Sequence, residues 1–184
     1  MSMGNKLILV AGYCAAGKST FSRRLAQELH IPCFNKDIVK EILGDGFGPE
    51  SGEVFQKGSR VTFMLLRHIA ECFLEAGKIC VLESNFRAGE IRQLCDLLAK
   101  YDGECLTFLL TGYLNVLYER YLDRDKASNR SWVHKPAGSD REAFKNGQLQ
   151  FGEIAAGKTI PVDTTSFENM DYEHLLAIAK EFAG

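Results

Sequence analysis

The chain has 184 residues, 46% apolar and 25% charged, an ordinary balance for a globular protein with a buried core. Its formal net charge of −2 lacks the basic surplus of a polyanion binder, so composition argues against nucleic acid as a partner. No apolar run approaches the roughly 18 residues of a membrane span. Met1–Asn5 is not a basic region leading into an apolar stretch, so no secretory signal and a cytoplasmic location are expected.

Six cysteines, at 14, 33, 72, 80, 95 and 105, are scattered without a C-x-x-C pair, which predicts reduced, buried thiols. Neither they nor the four histidines, at 30, 68, 134 and 174, have metal-ligand spacing, so no zinc site is expected.

In chain order, Lys6–Ala11 (KLILVA) is the first expected strand. Thr20–Leu29 follows as a helix with Phe21, Leu25 and Leu29 on one face. Ile31–Asn35 is a short second strand, and Asp37 is the expected N-cap of a helix through Leu43. Gly44–Gly58 holds five glycines and Pro49, the composition of a mobile loop. Ser59–Ala76 is a long helix that Gly77 terminates. Lys78–Glu83 (KICVLE) is the third strand, and Gly89–Lys100 a helix with Ile91, Leu94, Cys95 and Leu98 inward. Cys105–Thr111 (CLTFLLT) is the fourth strand, Tyr113 to about Asp123 a helix, and Arg124–Gly138 a polar stretch. Ser139 and Glu142 have capping-box spacing, which predicts another helix start. Thr159–Thr164 is the fifth strand and Asp171–Phe182 the closing helix.

Apolar strands separated by helices predict an α/β protein with a parallel sheet covered on both faces, that is, three layers, α/β/α. No repeat or linker interrupts residues 1–184, so a single domain is expected, with a mobile segment at about 44–58 and a lid at about 120–138. Right-handed crossovers bring every strand's C-terminal end to one edge, where Gly12, Asn35, Glu83, Thr111 and Thr164 should converge.

Gly12-Tyr13-Cys14-Ala15-Ala16-Gly17-Lys18-Ser19 matches G-x-x-x-x-G-K-[ST] between an apolar strand and an amphipathic helix that Thr20 enters. That is a P-loop, the signature of a P-loop NTPase. Its glycines let successive N–H groups point at phosphate oxygens, and the new helix adds its positive N-terminal end. Lys18 is expected on the β- and γ-phosphates of ATP, and Ser19 on Mg2+.

Other candidates follow from position. Asp37, after strand 2, suits an acceptor-side base that orients a hydroxyl and takes its proton, besides capping a helix. Glu83 ends an apolar strand and can hold a Mg2+-bound water. Arg87 suits an acceptor or a phosphate. Arg120 and Arg124 lie i, i+4 on one helical face and, with Arg130, form a lid over the phosphates. Trp132 and His134 stay open between hinge, acceptor contact and surface.

The pattern resembles small P-loop kinases of the adenylate-kinase-like fold: chloramphenicol phosphotransferase, gluconate kinase, the kinase domain of polynucleotide kinases, and zeta toxins. The resemblance rests on Gly12–Ser19, Asp37, Glu83, the Arg120/Arg124/Arg130 lid and Val162-Asp163-Thr164-Thr165. It implies a five-stranded sheet of order 2-3-1-4-5, Asp37 as base, lid arginines on ATP, and Thr164 and Thr165 near adenine. One departure stands out. Several relatives show D-x-x-R after strand 2, whereas here Lys40 closes Asp37-Ile38-Val39-Lys40, and a lysine cannot make the bidentate fork. The expected activity is an ATP-dependent transfer of the γ-phosphate to a hydroxyl of a small-molecule acceptor. A nucleic-acid 5′-hydroxyl kinase and a nucleotide-binding regulatory module are the alternatives. Neither the acceptor nor the oligomeric state is legible in these residues.

Overall fold

A computed structural model of the chain describes residues 5–48, 58–127, 131–134, 140–151 and 156–184. Five parallel strands form one sheet of order β2-β3-β1-β4-β5: β1 Lys6–Gly12, β2 Cys33–Asn35, β3 Ile79–Glu83, β4 Glu104–Thr111 and β5 Lys158–Asp163. This is the order that the resemblance implied. The described helices are α1 Lys18–Leu29, α2 Lys36–Phe47, α3 Gly58–Glu75, α4 Ala88–Lys100, α5 Leu114–Ala127, α6 Arg141–Leu149 and α7 Tyr172–Ala183. None is long and apolar enough to cross a membrane.

Strand alternation divides the core in two. From β1, Ile8 and Val10 pack with Phe21 and Leu25 of α1, Leu117 and Tyr118 of α5 and Leu175 of α7. Leu7, Leu9 and Ala11 face the other way, onto Phe63 and Leu74 of α3 and Leu94 and Leu97 of α4. Helices thus cover both faces, which explains why the central strands carry almost no polar residue. Pro161, which has no N–H to give, sits in edge strand β5.

Three expectations about element ends are corrected. Asn35, not Asp37, caps α2: its side-chain oxygen accepts from the N–H groups of Asp37 (2.8 Å) and Ile38 (3.0 Å). The strand ends at Asn35 itself, so the helix starts a residue before Asp37 and leaves that carboxylate out of the cap. Secondly, α2 runs through Gly44 and Gly46 to Phe47, where a loop was expected, and Gly48 at φ 78° ends it. Packing against α3 overrides the cost of about 1 kcal/mol that each glycine carries in a helix. Only 49–57 of the expected mobile segment remains, and it lies outside the described residues. Thirdly, Asp140 caps α6, accepting from Glu142 N and Ala143 N at 3.0 Å each; Ser139 lies outside the described residues. The buried-thiol expectation holds for Cys80 and Cys105, whereas Cys72 and Cys95 are exposed and Cys14 and Cys33 are partly buried; all six are free.

Candidate active site

The phosphate loop joins β1 to α1 at the C-terminal edge of the sheet. Gly12 has φ 121°, and a Cβ there would meet the Leu110 carbonyl oxygen at 1.9 Å. The neighbouring Tyr13 N–H donates to that same oxygen at 2.9 Å, so only glycine fits between β1 and β4. Gly17 has φ 78° at the N-terminal end of α1. Lys18 is buried and donates through Nζ to the Tyr13 carbonyl at 2.7 Å, bracing the loop from within.

Register places Glu83 beside Val10 of β1 and Asn35 of β2. Its side chain is 5% exposed, and Oε2 accepts from the Ser19 hydroxyl at 2.9 Å. The Asn35 side-chain amide also donates to Glu83 Oε2, and to Ser19 Oγ at 3.0 Å. Burial pushes the Glu83 carboxyl above its ordinary value. Lys18 and the Ser19 hydrogen bond pull it back, Asp37's charge raises it further, and Asn35 lowers it. A hydroxyl and a carboxylate side by side are hard oxygen donors, the type Mg2+ takes, so these residues fit the cation that a P-loop implies.

A cavity of about 260 Å3 opens above the loop. It collects Lys18, Ser19, Asp37, Lys40, Glu83 and Arg124 from four separate elements, α1, α2, β3 and α5. Asn85, Tyr121 and His134 complete its rim. Of the residues left open by the sequence, His134 therefore enters the cavity, while Trp132 is half exposed. The Lys40 Nζ donates to the Val133 carbonyl at 2.7 Å, and His134 Nε2 donates to Glu41 Oε1 at 2.7 Å. The short stretch 131–134 is thus docked on α2, across the cavity from the phosphate loop. Lys40 is committed in part to this contact.

The expected pairing of Arg120 with Arg124 is not what the structure holds. Arg124 lines the phosphate cavity, but Arg120 donates to the carbonyls of Thr164 (2.7 Å) and Thr165 (2.9 Å), and its guanidinium lies over the Phe167 ring at 4.2 Å. Both arginines lie on α5, as their spacing predicted, but the helix runs on to Ala127 instead of ending at about Asp123; Arg130 lies outside the described residues. Thr164 is buried and donates to the Thr111 carbonyl; the Thr165 hydroxyl donates to Asp163 and accepts from Tyr113 N. Thr20, Thr164 and Phe167 line a second cavity of about 260 Å3 that shares Gly17 with the first. It runs from the phosphate loop towards the β5–α7 loop. Arg87 stands in neither; it lines a separate opening beside α3.

The sequence put Asn35 at the ligand edge but not in its capping and bridging role, and it gave no sign of Gln148, Asn85 or Tyr121. The cap could have been found, since Asn is among the best N-caps and stands directly before the helix. Gln148 could not: on α6, 4% exposed, it accepts the Cys14 N–H on its Oε1 at 2.7 Å and donates to the Phe144 carbonyl. Nothing local marks that long-range contact. Cys14 also accepts a hydrogen bond on Sγ from Asn85 at 2.8 Å.

With this geometry in view, residues 8–145 match the family model of an AAA domain. The chain belongs to that AAA-domain family. Among solved structures, this AAA-domain protein is similar to a presumed kinase from Chloroflexus aurantiacus, with 28% identity, a TM-score of 0.82 and coverage of 98% of this chain and 96% of that one. A sugar kinase from Janibacter sp. shares the fold at 16% identity and TM-score 0.58, covering 96% and 93% of the two chains. A gluconokinase from Sinorhizobium meliloti does so at 17% and 0.54, covering 99% and 90%. None of the curated proteins matches the sequence. The AAA-domain protein therefore has a kinase-like P-loop fold, the adenylate-kinase-like architecture expected from its motifs.

Proposed function

We propose that the protein is an ATP-dependent phosphotransferase that moves the γ-phosphate to a hydroxyl of a small-molecule acceptor. The observation that carries this reading is the single small cavity that gathers the P-loop Lys18 and Ser19, the carboxylates of Asp37 and Glu83, and the Arg124 guanidinium. A binding module needs the loop; an acceptor-facing carboxylate opposite it is a feature of transfer.

The N–H groups of Gly12–Ser19 would hold the phosphate chain, and Thr20, Thr164, Thr165 and Arg120 would stand on the nucleoside side. Lys18 leaves the Tyr13 carbonyl for the β- and γ-oxygens. Ser19 would hold Mg2+, with Glu83 reaching it through a water; the cation would offset charge on the transferring phosphate. Asp37 accepts a hydrogen bond from the acceptor hydroxyl, fixing it in line, and takes the proton as the new O–P bond forms and ADP leaves. Arg124, with Arg130, faces the charge that develops on the γ-oxygens. Lys40 and Arg87 are on the acceptor side.

The test is ADP release with sugars, sugar acids, nucleosides, aminoglycosides and oligonucleotides against an acceptor-free blank. One small-molecule class should raise the rate well above the blank, and Lys18→Ala should remove it, since each charge-assisted phosphate contact contributes about 1.5–3 kcal/mol. Stimulation by oligonucleotides alone, or by nothing, rejects the reading.

A further inference from the structure

Beside the phosphate cavity lies a larger opening of about 620 Å3, between the first turns of α3 and α4. Arg60 and Arg87 stand in its wall, with Ser59 and Gln93 next to them and Phe63 beneath. Among the described residues, neither guanidinium has an ion-pair or hydrogen-bond partner. Glu90 is the lining's carboxylate, and it is already committed. Its Oε1 takes the buried Lys36 ammonium, and its Oε2 takes the Arg87 N–H at 3.0 Å. Among the described residues, two positive charges thus stand without a carboxylate partner in this wall, in a chain whose net charge is −2. Like charges held together in a cleft focus a field that draws an anion.

The opening is also tied to the proposed transfer site at two points. Lys36, which neutralises Glu90, directly precedes Asp37 on α2. Asn85 rims the phosphate cavity two residues before Arg87, on the segment leaving β3. The Asp37 carboxylate and the arginine-lined opening are thus carried by adjoining residues of the same two segments.

We propose that this opening binds an anionic group at the far end of the acceptor, so that the acceptor is a hydroxylated acid, a sugar acid or a sugar monophosphate, rather than a neutral sugar or an aminoglycoside. The proposal rests on the phosphotransferase reading for the role of the ligand, but the site is defined by its own residues. A guanidinium pairs in bidentate fashion with carboxylate and phosphate alike. Both ligand types are therefore arms of the test.

Calorimetry on the full chain saturated with Mg·AMPPNP keeps the phosphate loop filled, so an added anion cannot bind there. The probes are matched polyols, sugar acids and sugar monophosphates of four to six carbons, plus an aminoglycoside. One anionic type should bind about tenfold or more tighter than its neutral twin. Arg60→Gln and Arg87→Gln should each remove most of that preference, with Arg87→Lys intermediate because it keeps charge without the fork. The proposal is overturned if the neutral twin binds as tightly, if the preference survives the double glutamine variant, or if no anionic probe binds. ADP release with the tightest ligand separates this from the function itself. Arginine-dependent binding without transfer keeps the site and rejects the kinase reading, and transfer to a neutral acceptor does the reverse.

Discussion

Replacing Asn35 tests how the fold assembles the candidate cation site. The Asn35 side-chain oxygen caps α2 through Asp37 N and Ile38 N, while its amide nitrogen serves Ser19 Oγ and the buried Glu83 carboxylate. Asn35→Ser keeps a capping oxygen and removes the amide group that reaches Ser19 and Glu83, leaving only a short hydroxyl. A hydrogen bond to a buried charged group contributes about 1.5–3 kcal/mol. For a chain of this size the melting temperature should fall by roughly 3–12 °C. Asn35→Ala loses the cap as well, a further ~0.5–2 kcal/mol. Thermal and urea denaturation in metal-free buffer should therefore rank wild type, Ser, Ala in that order, with the Ser–Ala interval measuring the cap. Both variants should also bind Mg·ADP more weakly, because Ser19 loses a neighbour that orients its hydroxyl. If Ser is as stable as wild type, the amide does not support Glu83, and the account of this corner is wrong.

Four further outcomes are expected. Asp37→Asn, at a position freed from capping by Asn35, should leave melting temperature and ATP affinity almost unchanged while transfer to the true acceptor falls by roughly 10²–10⁴. Near-wild-type transfer would exclude Asp37 and leave Glu83 as the candidate base. Gln148→Met removes the acceptor of the Cys14 N–H and should cost about 1–3 kcal/mol in urea titrations; an unchanged midpoint would mean the phosphate loop does not depend on α6. Burial pushes the Cys80 and Cys105 thiols up to about 12 from an ordinary 9.0, so alkylation mapped by mass spectrometry should strike exposed Cys72 and Cys95 first. Because the folded state holds those two protons longer than the unfolded chain, stability should fall as pH rises from about 9 towards 12. Equal labelling of Cys80 and Cys72 in the folded protein would contradict that burial.

The phosphate loop was legible because its requirement is local: Gly12, Gly17, Lys18 and Ser19 each answer a demand made within eight residues of backbone. The strands were legible for a related reason. A parallel strand covered on both faces must be apolar throughout, and KLILVA, KICVLE and CLTFLLT have few other uses. Those two signals carried the fold class and the edge where the site forms. What the local signal misjudged was the end of α2, where glycine and loop composition outweighed a packing contact with α3 that no short window contains. Tertiary structure alone decided how the charged and polar side chains are shared out. Arg120 and Arg124 look equivalent on a helical wheel, yet one turns to the carbonyls of Thr164 and Thr165 and the other to the phosphate cavity. Gln148 reaches Cys14 across 134 positions of sequence, and Lys36 reaches Glu90 across 54. Apolar periodicity records which face of an element is buried. It carries no record of which polar atom on another element will be waiting there, because a hydrogen bond selects its partner by distance and direction that exist only once the layers have packed.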